Sequence, residues 1–147
     1  MPYFIILLII VVDQLSKFLV SSNFTQGDSV RIFPYLYITY VRNVGAAFGL
    51  LANYRWLFVV LGILAVALVW YFRNTIKQQS KFVRWGITLA IGGTIGNLID
   101  RIRIGAVIDF IDTPIFPIFN AADMTRVAGV VLLFWEVLIN ERKKLGE

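Results

Sequence analysis

The stretch WLFVVLGILAVALVWYF, Trp56 to Phe72, contains no charged residue. A helix that crosses the hydrocarbon core of a bilayer needs roughly 17–25 predominantly apolar residues. This stretch meets that need and opens on a Trp, a residue favoured at the membrane interface. It therefore decides the class of the fold, a mainly α membrane protein.

Three further apolar segments lie on either side of it. Tyr3 to Val20 is interrupted by Asp13, Gln14, Ser16 and Lys17; Trp85 to Ile99 is rich in glycine; Val127 to Ile139 carries one acid, Glu136. The last two reach spanning length only by extending into their polar flanks, to about Asp100 and back to about Asp123. The reading is a single domain with four spans, at about 3–20, 56–72, 85–100 and 123–140. The first segment has no basic region ahead of its apolar run and no small-x-small site behind it, so it reads as a span and not a leader. Composition agrees: 59% of the 147 residues are hydrophobic and 16% charged, against about 25% charged in soluble domains. The mean hydropathy is +0.76.

Charge sets orientation. The connection from Arg73 to Arg84 carries Arg73, Lys77, Lys81 and Arg84 without an acid, and the tail carries Arg142, Lys143 and Lys144. Both are expected on the cytoplasmic side. Both termini are then cytoplasmic, and the 21–55 and 101–126 stretches lie outside. Within the first of these, VRIFPYLYITYV (Val30 to Val41) alternates and is β-branched or aromatic from Tyr35 on. It predicts an external β element at about 28–50, with Pro34 at an edge or an interruption. The net charge of +5 forms no basic stripe with interleaved aromatics, so no nucleic-acid partner is expected.

The chain has no cysteine and no histidine. Disulfides, thiol nucleophiles, Ser-His triads and nearly all zinc sites are excluded. Acid–base chemistry falls to Asp, Glu, Lys and Tyr. Acids near a bilayer are costly, which draws the eye to VIDFID (Val107 to Asp112) and FNAADM (Phe119 to Met124). Asp109 reads either as a surface acid of a connecting loop or as half of a functional pair. Asp123 reads either as the N3 residue of a helix capped by Asn120 or as the other half. Two close carboxylates hold one shared proton, which suits activation of water for peptide hydrolysis.

Other phrases admit two readings as well. Asp13 and Lys17, at i and i+4, form either a buried packing pair or the border of a polar site. NVGAAFGL, Asn43 to Leu50, is either an interfacial turn in which Asn43 caps a helix or the wall of a pocket. In GGTIGNLIDRIR, Gly92 to Arg103, Gly92 and Gly96 are a close-packing pair. Asn97, Asp100 and Arg101 either cap a packing helix or orient a site. A proton-coupled transporter and a non-enzymatic scaffold for partner helices remain open on these features alone. The transporter is disfavoured because the acids cluster on one side and no repeat is visible.

Together, DQLSK (Asp13 to Lys17), RNVGAAFG (Arg42 to Gly49), GGTIGNLIDR (Gly92 to Arg101), VIDF (Val107 to Phe110) and FNAAD (Phe119 to Asp123) resemble lipoprotein signal peptidase, the bacterial signal peptidase II. The resemblance covers nearly the whole chain in order. It implies an aspartic endopeptidase of the bacterial inner membrane that cuts prolipoproteins just before the diacylglyceryl-modified cysteine. The implied catalytic dyad falls on Asp109 and Asp123. Supporting polar residues fall on Asp13, Lys17, Asn43, Asn97, Asp100, Arg101 and Asn120. The implied fold is a four-helix membrane bundle with an extracytoplasmic β-cradle and a short surface helix. The implied partners are diacylglyceryl-prolipoprotein signal peptides and membrane lipids. The enzyme is expected to act as a monomer, with no metal and no cofactor, and with its active site at the outer leaflet boundary. Met124 and Arg126 depart from the family, where small or apolar residues often follow the FNxAD phrase.

Overall fold

A computed structural model describes residues 2–45 and 54–146. Four long helices dominate it: α1 (Tyr3–Asn23), α2 (Arg55–Tyr71), α4 (Lys81–Ile104) and α5 (Ala121–Leu145), with the five-residue α3 (Arg73–Lys77) in the connection between α2 and α4. Of these, α1 and α4 are long and apolar enough to cross a membrane, and α2 is apolar over 17 residues. Each helix overruns or matches its predicted segment for a local reason. Ser80 caps α4 by accepting from Val83 N at 3.3 Å, and Gly105 ends it in the left-handed conformation, φ 79°. Asn120 caps α5 by accepting from Asp123 N at 2.9 Å.

Two hairpins form one antiparallel sheet in the order β1-β2-β3-β4: β1 (Ser29–Phe33), β2 (Leu36–Asn43), β3 (Val107–Thr113) and β4 (Phe116–Phe119). The first hairpin joins α1 to α2 and the second joins α4 to α5, so the sheet covers one end of the helices. Pro34 interrupts the Val30–Val41 run, as expected, by separating β1 from β2. It starts the β1–β2 turn, and Tyr35 completes that turn at φ 66°, a Pro-then-positive-φ pattern of a type II turn. The second hairpin corrects the sequence reading. VIDFID is not a connecting loop but a central strand, paired with β2 on one side and β4 on the other. The predicted element at 28–50 is thus half of a larger sheet, and its 46–50 portion lies outside the described residues. The expected short surface helix is not seen among the described residues; α3 belongs to the opposite end.

Burial is inverted relative to a soluble domain. Phe4, Trp56 and Phe134 are 73%, 66% and 64% exposed, whereas Asp13, Asp100 and Asn120 are fully buried and Lys17 is 1% exposed. An apolar exterior around a polar centre suits lipid as solvent. A small apolar cluster of Val20, Tyr40, Ile108 and Phe110 seats the sheet on the end of α1. Inside the bundle α4 packs most extensively on α5, then on α1 and α2. Small residues permit this close approach. Gly92 and Gly96 face α1, where an added Cβ would meet Ile9 and Asp13. Gly86 and Gly93 face α5, where it would meet Leu133 and Ala122 O.

Candidate active site

The site is built on a buried lysine. Lys17 Nζ lies 2.8 Å from Asp13 Oδ2, from Asn97 Oδ1 and from Asp100 Oδ2. All three ammonium donors are therefore used, which is what a charge removed from water requires. The two carboxylates reach further. Asp13 Oδ1 accepts from Ala122 N at 2.9 Å, and Asp100 Oδ2 accepts from Ile108 N at 3.2 Å. Gln14 Nε2 donates to Asp100 Oδ1 at 3.0 Å and to Gly96 O at 3.1 Å. This cluster ties α1 and α4 to the start of α5 and to β3. The Asp13–Lys17 pair is a buried packing contact, joined through Asn97 to the polar residues that follow.

Strand alternation then aims Asp109. Its neighbours Ile108 and Phe110 point into the apolar cluster under the sheet, so Asp109 points to the other face. There its Oδ1 accepts from Asn120 Nδ2 at 2.6 Å and its Oδ2 from Asn43 Nδ2 at 2.9 Å. Burial raises the Asp109 carboxyl to about 6 and the nearby charge of Asp123 pushes the same way, while the hydrogen bonds from Asn43 and Asn120 and the charge of Lys17 pull it back. Asn43 caps no helix among the described residues. It ends β2, donates to Asp109, and accepts from Gly45 N at 3.0 Å. The rest of the NVGAAFGL phrase, 46–50, lies outside the described residues.

Asp123 arrives by helix geometry. Asn120 Oδ1 accepts from Asp123 N, so half of the capping arrangement is present. The Asp123 carboxylate does not return to the cap. Its Oδ1 instead accepts from Asn97 Nδ2 at 2.9 Å and from Arg126 Nη2 at 2.7 Å. Asn97 and Asn120 also bond to each other, Asn120 Nδ2 donating to Asn97 Oδ1 at 3.1 Å. Two amides thus link the two acids and the lysine cluster.

Both acids line one open cavity of about 820 Å³, together with Asn43, Asn97, Arg101 and Arg126. Its remaining wall is largely apolar, with Phe58, Leu61, Leu98, Phe119 and Val127 among the lining residues. A groove of that kind accepts an apolar segment and presents two carboxylates to it. Among the described residues no three acidic side chains converge as ligands for a metal ion; Asp13 and Asp100 close on Lys17.

Of the predicted residues, Asp13, Lys17, Asn43, Asn97, Asp100, Asp109, Asn120 and Asp123 fall into one connected network. Arg101 stands on the same cavity but outside that network: it donates to Gly45 O at 3.3 Å and lies over the Phe58 ring at 4.9 Å. Sequence reasoning missed Gln14, whose signal was an amide in an apolar run beside Asp13. It also placed Arg126 only as a departure, although the i, i+3 spacing from Asp123 allows the pairing.

Comparisons with known proteins show the family. The family model described as Signal peptidase (SPase) II matches residues 5–139. A lipoprotein signal peptidase of Moorella thermoacetica is 40% identical over 141 residues, covering 95% of this chain and 94% of its own. One from Clostridioides difficile is 44% identical, covering 95% of each. A bacterial membrane enzyme solved by the in meso method at 2.3 Å resolution superposes with a TM-score of 0.91 at 35% identity, over 97% of this chain and 90% of the other. A second, solved at 1.9 Å, gives a TM-score of 0.84 at 36% identity, over 92% and 91%. With the match running from the first helix to the last, and the lysine cluster, sheet and two-acid cavity inside it, the chain belongs to the signal peptidase II family of lipoprotein signal peptidases.

Proposed function

We propose that this peptidase is an intramembrane aspartic endopeptidase that removes the signal peptide from diacylglyceryl-modified prolipoproteins, cutting before the lipidated cysteine. The observation that carries the reading is the pair Asp109 and Asp123, brought from β3 and α5 to one apolar cavity. In the proposed arrangement four helices, α1, α2, α4 and α5, span the bacterial inner membrane with both termini cytoplasmic. The sheet and the dyad then lie at the outer leaflet boundary, where a membrane-embedded signal helix presents its cleavage point. The cavity is apolar enough to take that helix end and an acyl chain, and the amides of Asn43 and Asn97 with Arg101 face it as donors to substrate carbonyls. One chain supplies every named group, which supports a monomer as the active form.

The chemistry follows from a pair sharing one proton. Burial pushes the Asp109 carboxyl up to about 6, which favours Asp109 as the holder of the shared proton and leaves the role of base to Asp123. Water attacks the scissile carbonyl carbon, its proton passing to Asp123, while the Asp109 proton passes to the carbonyl oxygen. The resulting gem-diol collapses as the C–N bond breaks and the proton on Asp123 goes to the leaving amine. One diol proton returns to the pair. The scheme needs no metal and no cofactor.

The test is cleavage of a purified diacylglyceryl-modified prolipoprotein in detergent with EDTA present. Wild type should cleave, and Asp109→Asn and Asp123→Asn should each lose activity by a factor of at least about 10³, the scale of removing an essential acid–base group. Wild-type rates in either variant would remove that residue from the dyad.

A further inference from the structure

We propose that Arg126 is a positioning residue for the dyad: its guanidinium ties one oxygen of Asp123, leaves the other for water, and keeps the negative charge of the pair on the Asp123 side. This rests on the dyad reading above. The geometry at the two acids is unequal. Asp109 accepts one neutral amide N–H on each oxygen, from Asn120 and Asn43. Asp123 accepts both of its side-chain donors on Oδ1, from Asn97 at 2.9 Å and from Arg126 at 2.7 Å. Among the described residues no donor reaches Asp123 Oδ2. That oxygen is the one placed to receive a proton from water, and the cationic donor sits on its twin.

The other cations near the pair act on it only through space, Lys17 on Asp109 and Arg101 on both acids, and make their contacts elsewhere. Lys17 on α1 is bound by Asp13 and Asp100. Arg101 on α4 donates to Gly45 O and covers the Phe58 ring. Arg126 on α5 is therefore the cation in contact with a dyad carboxylate among the described residues. It contributes little to holding α5, which Asn120 already caps. An Arg side chain 45% exposed forms a weak pair in water, but beside an apolar cavity its field on the dyad is less screened.

A cation at the pair lowers the cost of each anionic state, so its removal moves the whole activity bell toward higher pH. The experiment measures kcat/KM against pH from about 3 to 8, which brackets an ordinary Asp and the Asp109 carboxyl at about 6, with purified diacylglyceryl-modified prolipoprotein in detergent. Arg126→Gln should shift the bell upward by about half to one pH unit, the lower end of the effect of a neighbouring charge. Its rate relative to wild type should fall at the acid end and exceed one at the alkaline end. Arg126→Met, which keeps an apolar stem, should shift it the same way, and Arg126→Lys should restore the wild-type position. A loss of equal factor at every pH, or one expressed in KM alone, overturns the proposal. Full activity of Asp123→Asn would instead overturn the dyad reading on which it rests.

Discussion

At Asp109 the fold and the proposed chemistry pull the same way. The strand buries it, burial favours the protonated form, and the carboxyl rises to about 6. On the proposed mechanism Asp109 must hold a proton to give to the carbonyl oxygen, and that proton is lost as pH rises through about 6. Since kcat/KM reports the free enzyme, it is expected to fall as pH rises through about 6. Asn43 sharpens the prediction. Its N–H favours the ionised form of Asp109, so Asn43→Ala should move the falling limb to higher pH while lowering the maximal rate. A limb that stays in place or moves down would show that Asn43 does not act on this carboxylate.

At the scale of elements, the contact between α4 and α5 is set by absent side chains. A Cβ on Gly93 would collide with the carbonyl of Ala122, one residue before Asp123. Backbone cannot yield as a side chain does, so Gly93→Leu should push α5 from α4, cost about 1–3 kcal/mol, and lower activity by displacing Asp123. Gly62→Ala is the control for stability: its Cβ would lie 3.3 Å from the flexible end of Leu98, and the melting temperature should stay near wild type. The helices were legible because hydropathy reports lipid contact directly, and their extra turns came from caps at Ser80, Gly105 and Asn120 that a hydropathy window blurs. The strand holding Asp109 was not legible. Val107 to Phe110 is buried on both faces, so no alternation marks it, and its partner β2 lies 66 residues away, from Asn43 to Asp109. The site was legible through its combined phrases and not through spacing. No rule of spacing joins Asp13 to Ala122, a contact made across 109 positions.

For the whole molecule, the basic α2–α4 connection and the sheet lie at opposite ends of the helices, which yields a direct test of the proposed topology. The chain has no cysteine, so single substitutions report without background. In intact cells lacking an outer barrier, Gln26→Cys should react with a membrane-impermeant thiol reagent, and Thr75→Cys should react only after the membrane is opened. The reverse pattern would invert the orientation. The lysine cluster carries a consequence for how the molecule comes into being. Asp13 enters the bilayer early in synthesis, yet its backbone partner at Ala122 is among the last to arrive. Until the final helix is threaded, the acid at 109 has no amide at 120 and no companion at 123. If Asp109 and Asp123 are the proposed dyad, a half-made chain is a harmless guest among the lipids, and hydrolytic competence begins only when the last helix docks.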